Sequence, residues 1–370
     1  MEFNLCVPCL LGLESPIADE LKRLDIPDVR SENGRVYFKG GAREIARANI
    51  NLRCGERILI ELGSFEARSF EELFQGTKAL PWESIIPSDG AFPVKGYSLN
   101  SQLFSVSDCQ KIIKKAIVER LKKVYGIEWF AESAELYQVQ FSIMKDRVSL
   151  CIDTSGAGLH KRGYRPAHNA APLKETMAAS MIKLSRYRGR DDFCDPFCGS
   201  GTIPIEAALI ARNRAPGLNR RFTAMDWRWV DKKLWIEEKE AAISREFNGS
   251  YNIIGSDIDP AAIAIARENA QRAGVADIVR FELADATGFE RKTERGVIVT
   301  NPPYGERIME KQQAEELYRA FGRAYAASEN WQLYLLSSHT EFERCFGKQA
   351  DKKRKLYNGM IKCDLFMYFK

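Results

Sequence analysis

The sequence predicts an α/β protein: a C-terminal doubly wound, mostly parallel sheet, preceded by a smaller α+β region. Two observations predict the C-terminal sheet. Beyond residue 190, short apolar runs alternate with helical segments, which is typical of βαβ units. Several of these runs also end in an Asp or Asn, as the run 297–300 does before Asn301. Ligands of open α/β sheets bind outside the carboxyl ends of the strands, so polar side chains are expected there.

Length and composition limit the class of protein. A chain of 370 residues is long enough for two or three domains, and 45% hydrophobic with 28% charged residues is ordinary for a globular protein. No apolar run approaches the ~20 residues of a membrane span and no secretory leader is visible, so a cytoplasmic location is expected. The nine cysteines are scattered, and the pair Cys6 and Cys9 has no second pair at zinc spacing. Reduced thiols and no metal site are therefore expected.

The first 155 residues predict two small α/β units, at 1–60 and 61–155. Strands are expected at 3–9, 34–38, 57–62, 92–97, 137–144 and 147–152, and helices at 15–24, 42–51, 70–75 and 108–125. Ser15 is the expected N-cap of the first helix. The helix 108–125 has a basic face that includes Lys111, Lys114, Lys115 and Lys122. A solvated charged face is the usual explanation, and a phosphate-binding face is the alternative.

The C-terminal half predicts the alternating elements of the parallel sheet. Helices are expected at 172–184, 203–213, 260–273 and 313–327, and strands at 192–194, 253–256, 278–283, 297–300, 332–337 and 361–369. The last strand is expected at an edge of the sheet. The chain has a net charge of +5, and its basic excess lies after residue 160. Such an excess is compatible with a polyanionic partner.

A Gly-rich turn, Asp195-Pro196-Phe197-Cys198-Gly199-Ser200-Gly201-Thr202, joins a predicted strand to a predicted helix. No lysine follows the glycines, so the turn is not a phosphate-binding P-loop. The G-x-G-x-x-G pattern of dinucleotide-binding proteins is also absent. The acidic residue before the glycines would repel a pyrophosphate and suits a cationic group such as a sulfonium.

The next predicted strands end in polar residues as well. Asp257 follows one strand, and an acidic residue there can accept both hydroxyls of a ribose. Asp285 follows the next, where a carboxylate can accept from an adenine amino group. Asn301-Pro302-Pro303-Tyr304 follows a third strand. The prolines end that strand because they lack a backbone N–H, so an amide and an aromatic ring are displayed at its carboxyl end.

Residues 192–337 resemble the class I S-adenosylmethionine-dependent methyltransferase fold. The Asn-Pro-Pro-Tyr motif resembles that of enzymes that methylate exocyclic amino nitrogens of bases. The likeness to one family extends over nearly the whole chain, through the stretches LHKRGYR at 159–165, APLKE at 171–175, DPFCGSGT at 195–202, APGLN at 215–219 and KLYNG at 355–359. That family is the bacterial THUMP-domain RNA methyltransferases that make N2-methylguanosine in large-subunit (23S) ribosomal RNA. It implies a ferredoxin-like segment at 1–60, a THUMP RNA-binding module at 61–155 and a methyltransferase domain at 156–370.

The resemblance implies a role for each motif. The Asn301 side chain and the Pro302 carbonyl are expected to accept the amino hydrogens, Tyr304 to stack on the base, and Pro303 to hold the loop. The expected cofactor is S-adenosylmethionine. Its binding residues are Asp195, Pro196, Cys198, Gly199, Gly201 and Thr202 at the methionine end, Asp257 and Ile258 at the ribose, and Asp285 and Ala286 at the adenine, with Asn301 alongside. Lys161, Arg162 and Arg165 are expected beside either the methionine part or the RNA.

The gap between Gly201 and Asp257 is longer than the ~20 residues usual in a nucleotide-binding fold. It predicts an inserted helical segment at 212–247. This insert includes three tryptophans and several basic residues, among them Trp227, Trp229, Trp235, Arg212, Arg214, Arg220 and Arg221. We expect it to be mainly structural, with some RNA contact from the arginines.

Three other functions share part of this pattern. A transfer-RNA guanine-N2 methyltransferase differs only in its substrate. A DNA adenine-N6 methyltransferase shares the Asn-Pro-Pro-Tyr motif, but the N-terminal half is unlike a DNA target-recognition domain. A non-catalytic RNA-binding assembly factor is disfavoured by the intact motifs. The target nucleotide, the choice between naked RNA and a ribosomal particle, and the oligomeric state are not determined by the sequence.

Overall fold

The computed structural model describes residues 1–165, 173–290, 293–304, 308–327 and 331–369, and these form two seven-stranded sheets. The nine cysteines all lie within these residues and are free, as predicted. Within the described residues, no helix combines the length and the apolar content needed to cross a membrane.

The first sheet is mostly antiparallel and has the strand order β2-β3-β1-β4-β7-β6-β5. Its strands are β1 Phe3–Pro8, β2 Arg30–Glu32, β3 Arg35–Gly40, β4 Leu59–Glu66, β5 Val94–Leu99, β6 Val139–Met144 and β7 Arg147–Asp153. Its helices are α1 Glu14–Arg23, α2 Ala42–Asn51, α3 Phe70–Ala79 and α4 Val106–Tyr125. Strand β4 pairs with β1 on one side and with β7 on the other, so the chain before and after it shares one continuous sheet.

Helix α1 begins one residue earlier than predicted. Its N-cap is Leu13, not Ser15, and the cap makes no side-chain hydrogen bond. Instead, the carboxylate of Glu14 accepts from the backbone N–H groups of Gly12 and Gly34, at 2.8 Å each. A carboxylate in the first turn complements the helix dipole, so Glu14 stabilises the start of α1 although the two N–H groups that it binds lie outside the helix.

The second sheet has the strand order β10-β9-β8-β11-β12-β14-β13. Its strands are β8 Asp192–Asp195, β9 Ile253–Asp257, β10 Val279–Leu283, β11 Gly296–Thr300, β12 Trp331–Ser337, β13 Lys352–Asn358 and β14 Ile361–Tyr368. Its helices are α5 Glu175–Leu184, α6 Thr202–Ala211, α7 Lys232–Ser244, α8 Pro260–Ala273, α9 Ile308–Ala326 and α10 Phe342–Phe346. Strands β8 to β12 are parallel. Strand β14 runs antiparallel to both of its neighbours, β12 and β13, so β13 points the same way as β12. The sheet is therefore mostly parallel, which confirms the predicted fold class.

The C-terminal strand was predicted at an edge of the sheet, and this is wrong. Strand β14 lies between β12 and β13, and the edge is formed by β13, which the sequence did not predict. Strand β13 begins with the basic run Lys352-Lys353-Arg354-Lys355, which lacks the apolar alternation of a half-buried strand. Charged side chains of this kind are common on edge strands because they prevent pairing with other chains.

The insert at 212–247 joins the two halves of the molecule. Trp227 is fully buried, and its ring stacks on Tyr137 of the N-terminal half with 5.0 Å between ring centroids. Its indole N–H donates to the Leu136 carbonyl at 2.8 Å. On α7, buried Glu238 accepts from Arg47 of α2 at 3.0 Å. These contacts confirm the structural role predicted for the insert.

The arginines of the insert have intramolecular partners. Arg212 pairs with Asp277, Arg214 with Glu246 and Arg221 with Asp226, while Arg220 donates to backbone carbonyls. Only Arg221 among these four keeps a well-exposed side chain. Most of the RNA contact predicted for these arginines is therefore disfavoured by the structure.

Candidate active site

Four polar residues lie along the carboxyl edge of the second sheet. Strands β10, β9, β8 and β11 are consecutive and parallel, so their carboxyl ends point the same way. Asp285, Asp257, Asp195 and Asn301 stand at these ends, in that order across the sheet. The structure thus brings together the side chains that the sequence placed on separate strands.

The buried Asp195 carboxylate makes hydrogen bonds within the protein. It is 1% exposed, and its Oδ1 accepts from the Thr300 hydroxyl at 2.6 Å and from the Phe197 backbone N–H at 3.1 Å. These bonds tie β8 to β11 and shape the start of the Gly-rich turn. Burial raises the pKa of the Asp195 carboxyl to about 7, against the opposing effect of the Thr300 hydrogen bond. A carboxyl so buried positions the turn and does not present a full negative charge to a cation.

The two glycines of the turn meet different demands. Both have positive φ angles, +50° at Gly199 and +82° at Gly201. A Cβ at Gly201 would lie 2.9 Å from the side chains of Ala266 and Phe281, whereas a Cβ at Gly199 would have nothing within 4 Å. Gly201 is needed for close packing of the turn against α8 and β10. Gly199 leaves open space where a ligand can approach the backbone.

Asp257 connects the Gly-rich turn with the next strand end. Its Oδ2 accepts from the Gly199 N–H at 2.8 Å and its Oδ1 from the Asp259 N–H at 3.0 Å. The residue stays partly exposed, so its carboxylate can still accept from a diol. Asp259 itself caps α8 by accepting from the Ala261 N–H, so the second predicted carboxylate is a helix cap.

Exposed aliphatic side chains flank this carboxylate. Ile258 is 70% exposed, and Leu283 at the end of the neighbouring strand is 61% exposed. Asp285, two residues further on, is exposed and accepts from the Thr287 N–H at 2.8 Å. An apolar surface next to a carboxylate suits a flat heteroaromatic ring with an amino group. The sequence singled out Ile258 and Asp285 but missed Leu283, because an exposed leucine is visible only in the folded chain.

The Asn-Pro-Pro-Tyr turn is held on both sides. The Tyr304 hydroxyl donates to Asn301 Oδ1, and the Asn358 amide lies 3.5 Å from the same hydroxyl. Pro302 is buried, and the Pro303 carbonyl accepts from the Tyr318 hydroxyl at 2.7 Å. Burial raises the pKa of Tyr304 above its usual range, so the hydroxyl stays protonated and can donate.

This arrangement adds to the expected role of Tyr304. In the structure the Tyr304 hydroxyl donates a hydrogen bond to Asn301 Oδ1, the atom that was predicted to accept from a base. The Tyr304 ring is partly buried. Asn358 and Tyr318 were not predicted as site residues. Asn358 lies within the KLYNG stretch that carried the resemblance, whereas Tyr318 gave no signal because it looks like any aromatic on an amphipathic helix.

The basic stretch 161–165 divides between interior and site. The Arg162 side chain is only 2% exposed and pairs with buried Glu206 at 3.4 Å, so it has no free face for RNA. Arg165 pairs with Glu175 at 2.7 Å and donates to Thr202 at 3.3 Å. It therefore lies against the end of the Gly-rich turn, on the side expected for the methionine part. Lys161 is exposed.

The lysines of α4 divide in the same way. Lys111 and Lys115 are exposed. Lys114 pairs with Glu132 at 2.5 Å and lies 3.5 Å from the centre of the Phe92 ring, so its charge is used within the protein. Lys122 makes a looser pair with Glu128 at 3.8 Å. Only part of the predicted basic face is therefore available to a phosphate.

Models of known families match three successive parts of the chain. The model for the RMKL-like methyltransferase domain matches residues 162–366. The model for the RlmL ferredoxin-like domain matches residues 4–59, and the THUMP domain model matches residues 67–153.

Two curated relatives align with nearly all of the chain. One is YpsC of Bacillus subtilis (strain 168), whose name records a proposed RNA methyltransferase activity. It is 44% identical over 371 residues, covering 100% of this chain and 96% of that protein. The other is ribosomal RNA large subunit methyltransferase K/L of Psychromonas ingrahamii, 34% identical over 372 residues, covering 98% of this chain and 49% of that protein. The chain thus spans about half of this second relative.

Two solved structures share the fold. A Listeria monocytogenes protein described as a predicted N6-adenine-specific DNA methylase has a TM-score of 0.93 and 46% identity, covering 100% of this chain and 96% of that one. SMU.472, for which a methyltransferase activity is proposed, was solved in complex with S-adenosylhomocysteine (SAH). It has a TM-score of 0.93 and 41% identity, covering 100% of this chain and 98% of that one. That ligand is what S-adenosylmethionine becomes once its methyl group has been transferred.

With the strand order and the polar carboxyl edge, these findings make the protein a class I S-adenosylmethionine-dependent methyltransferase. The chain belongs to the RMKL-like methyltransferase family and carries a THUMP RNA-binding domain ahead of its catalytic domain. The predicted cofactor is thereby confirmed.

Proposed function

We propose that the protein transfers a methyl group from S-adenosylmethionine to the exocyclic N2 of a guanine in large-subunit ribosomal RNA. The observation that carries the proposal is the position of Asn301 and Pro302. They end β11, next to the Gly-rich turn of β8, so an amino group bound to them lies beside the expected methionine end of the cofactor.

The carboxyl edge fits the proposed cofactor. The turn at Gly199 leaves room for backbone contact, partly exposed Asp257 would hold the ribose, and Asp285 would accept from the adenine amino group. Ile258 and Leu283 would cover the faces of the adenine ring. When bound, S-adenosylmethionine supplies an electrophilic methyl group on a sulfonium, and its departure leaves a neutral thioether.

The chain's own residues would activate the acceptor. A guanine amino nitrogen is a poor nucleophile because its lone pair is delocalised into the ring. Asn301 Oδ1 and the Pro302 carbonyl can each accept one amino hydrogen, which favours a pyramidal nitrogen with its lone pair directed at the methyl group. The nitrogen gains the methyl group and loses one proton to water. Positioning and desolvation supply most of the rate enhancement.

Tyr304 would exchange partners when the base enters. In the structure its hydroxyl donates to Asn301 Oδ1, which keeps that acceptor satisfied without substrate. An incoming amino group would take over this acceptor, and the released ring could stack on a flipped base. Asn358 would keep contact with the hydroxyl and limit how far the ring moves.

The choice of RNA rests on the N-terminal half. A THUMP domain ahead of the catalytic domain favours an RNA acceptor, and the relative named for large-subunit ribosomal RNA favours that RNA. Transfer-RNA guanine-N2 is the second candidate acceptor. DNA adenine-N6, named for the Listeria structure, is disfavoured by the THUMP domain. The free cysteines suit a reducing compartment, so we place the activity in the cytoplasm.

A methyl-transfer assay tests this proposal. Purified protein and tritiated S-adenosylmethionine are incubated with large-subunit ribosomal RNA, transfer RNA and duplex DNA, and the labelled nucleosides are then identified. We expect label in ribosomal RNA, as N2-methylguanosine. A different labelled nucleoside would refute the proposed product, and label in transfer RNA alone would refute the proposed substrate.

A further inference from the structure

A basic cleft that the proposed reaction does not use lies at the amino ends of the parallel strands of the second sheet, which we call the amino edge. The cleft has a volume of about 680 Å³ and lies between α1, the ends of α5, α6 and α7, and strands β13 and β14. Residues from both halves of the chain line it. Eight lysine or arginine side chains face it, against two carboxylates.

Most of these cations are not neutralised. Among the described residues, no carboxylate lies within ion-pair distance of six of them, namely Arg23, Arg186, Arg188, Arg245, Lys352 and Arg354. This contrasts with Arg212, Arg214 and Arg221 of the insert, each of which has a carboxylate partner. Two of the six are held in place by neutral partners: Arg354 donates to the Gly12 carbonyl at 2.7 Å and Arg245 to Asn51 Oδ1 at 3.1 Å.

The acidic residues of the cleft do not balance this charge. Glu20 is buried, accepts from the Arg53 backbone N–H at 3.0 Å, and lies 3.9 Å from Lys183. Arg53 also lines the cleft. It is 5% exposed, and its Nη1 has no hydrogen-bond partner among the described residues. A buried guanidinium N–H without an acceptor is costly, and an anion in the cleft would satisfy it.

Two features favour a nucleic acid strand over a small anion. The cations come from several separate elements, more than one phosphate ion can contact. Phe247 also lines the cleft and is 59% exposed, so it offers a ring on which a base can stack. Arginines with an aromatic ring between them are typical of surfaces that bind single-stranded nucleic acid.

Strand β13 connects the cleft to the catalytic turn. Lys352 and Arg354 near its start line the cleft, and Asn358 at its end contacts Tyr304. Six steps along a strand span about 20 Å. Lys355, between the two ends, is exposed. An RNA strand lying in the cleft can therefore follow this basic edge to Asn301.

We propose that the cleft binds the sugar-phosphate backbone of the acceptor RNA, and that β13 leads the strand to the catalytic turn. This inference rests on the proposed function, because it assumes that the substrate is RNA. It adds a second RNA-binding surface, separate from the THUMP domain. This surface lies at the amino ends of the parallel strands, whereas the methyl donor binds at their carboxyl ends.

The test compares Arg186→Gln/Arg188→Gln with the matched control Lys232→Gln/Arg323→Gln, which removes two exposed cations outside the cleft. Binding of a short fluorescein-labelled single-stranded RNA is measured by anisotropy at several salt concentrations. We expect the cleft variant to bind about tenfold more weakly at low salt. The slope of log K against log salt should be shallower by about 1.4, that is ~0.7 for each lost contact. The control should bind like wild type, and both variants should keep the wild-type affinity for SAH.

The outcomes separate the two proposals. If wild type binds RNA and the cleft variant has the same affinity and salt slope, the cleft proposal is overturned, while methyl transfer to RNA stands. Label in DNA alone in the methyl-transfer assay overturns the proposed function and this inference with it. If inorganic phosphate raises the melting temperature of wild type but not of the cleft variant, and RNA affinity is unchanged, the cleft is a small-anion site and the RNA assignment is wrong.

A second measurement avoids dependence on the variants. Hydrogen exchange of wild type is compared with and without the same RNA. We expect slower exchange in peptides that cover residues 183–190 and 245–247. Unchanged exchange in both segments at saturating RNA would overturn the proposal even if the cleft variant failed to fold.

Discussion

The two edges of the second sheet differ in charge and in the degree to which their polar groups are satisfied. At the carboxyl edge, Asp195, Asp257 and Asn301 are held by short hydrogen bonds within the protein. At the amino edge, Arg186 and Arg188 have no carboxylate partner among the described residues. A preorganised edge suits chemistry, because its groups need no further rearrangement when charge moves once the base has replaced Tyr304 at Asn301. An unneutralised edge suits a polyanion, because released counterions supply the binding free energy.

The largest effect is expected from Asn301→Ala at the carboxyl edge. Turnover should fall by about 10²–10³-fold, the usual loss when one preorganised hydrogen-bonding group is removed from an active site. Affinity for SAH and for RNA should stay near wild type, since the change removes the acceptor for the amino group and for the Tyr304 hydroxyl but no proposed contact to a phosphate or to the ribose. Single-turnover methyl transfer and calorimetry measure the two quantities. Near-normal turnover would remove Asn301 from the proposed mechanism.

The paired variants Gly201→Ala and Gly199→Ala separate packing from ligand approach. Gly201→Ala should lower the free energy of unfolding by about 2–4 kcal/mol, because a Cβ there adds left-handed backbone strain and contacts that are too close. Gly199→Ala adds only the backbone strain, about 1–2 kcal/mol, but should weaken SAH binding. Denaturant unfolding and calorimetry test both. Equal stability losses with equal SAH affinities would show that the two positions do not differ as proposed.

The buried carboxyl of Asp195 predicts a pH-dependent stability. Its pKa is about 7 in the folded protein, above the value of about 4 expected in the unfolded chain, so the folded state binds more protons between these values. Its contribution is fully present below pH 4 and is lost as the pH rises toward 7. Asp195→Asn keeps an acceptor oxygen but cannot ionise. The difference in unfolding free energy between variant and wild type should therefore change across this window, by at most about 1.4 kcal/mol per pH unit. A constant difference from pH 4 to 8 would contradict the raised pKa.

The smallest effects are expected on the THUMP helix α4, which is a third surface to set against the two edges. Lys111→Gln/Lys115→Gln should weaken RNA binding about two- to fivefold and make its salt dependence shallower. Lys114→Gln should leave RNA affinity unchanged and lower stability by about 0.5–1 kcal/mol, because its charge contacts Glu132 and the Phe92 ring. Weaker RNA binding by Lys114→Gln alone would reverse this assignment.

Much of the catalytic domain could be predicted from local patterns. Strands β9, β10 and β11 are short apolar runs that end in an acid or in two prolines, and each was expected within a residue or two of its observed bounds. Strand β13 was missed because its basic residues hide the strand pattern. The edge position of β14 was wrong because strand order depends on pairing across the chain, and local sequence does not encode it.

The roles of individual charges were harder to predict. Lys111 and Lys114 are alike in sequence, yet Lys111 makes only an exposed pair with Asp108 in its own helix, whereas Lys114 is half-buried against Glu132, which lies 18 positions away along the chain. Arg162 and Arg188 likewise differ only in what surrounds them after folding: the first is buried with Glu206 and the second is exposed in the cleft.

The sequence by itself determined the strand-end residues, the Gly-rich turn and the Asn-Pro-Pro-Tyr motif, because each depends on the backbone preferences of a few adjacent residues. Only the tertiary structure decided that Asp195 is buried, that the Tyr304 hydroxyl donates to Asn301 Oδ1, and that the two halves of the chain enclose a basic cleft. These features arise from contacts between residues far apart in sequence. Burial and ion pairing, which set the charge and reach of a side chain, exist only once those contacts form.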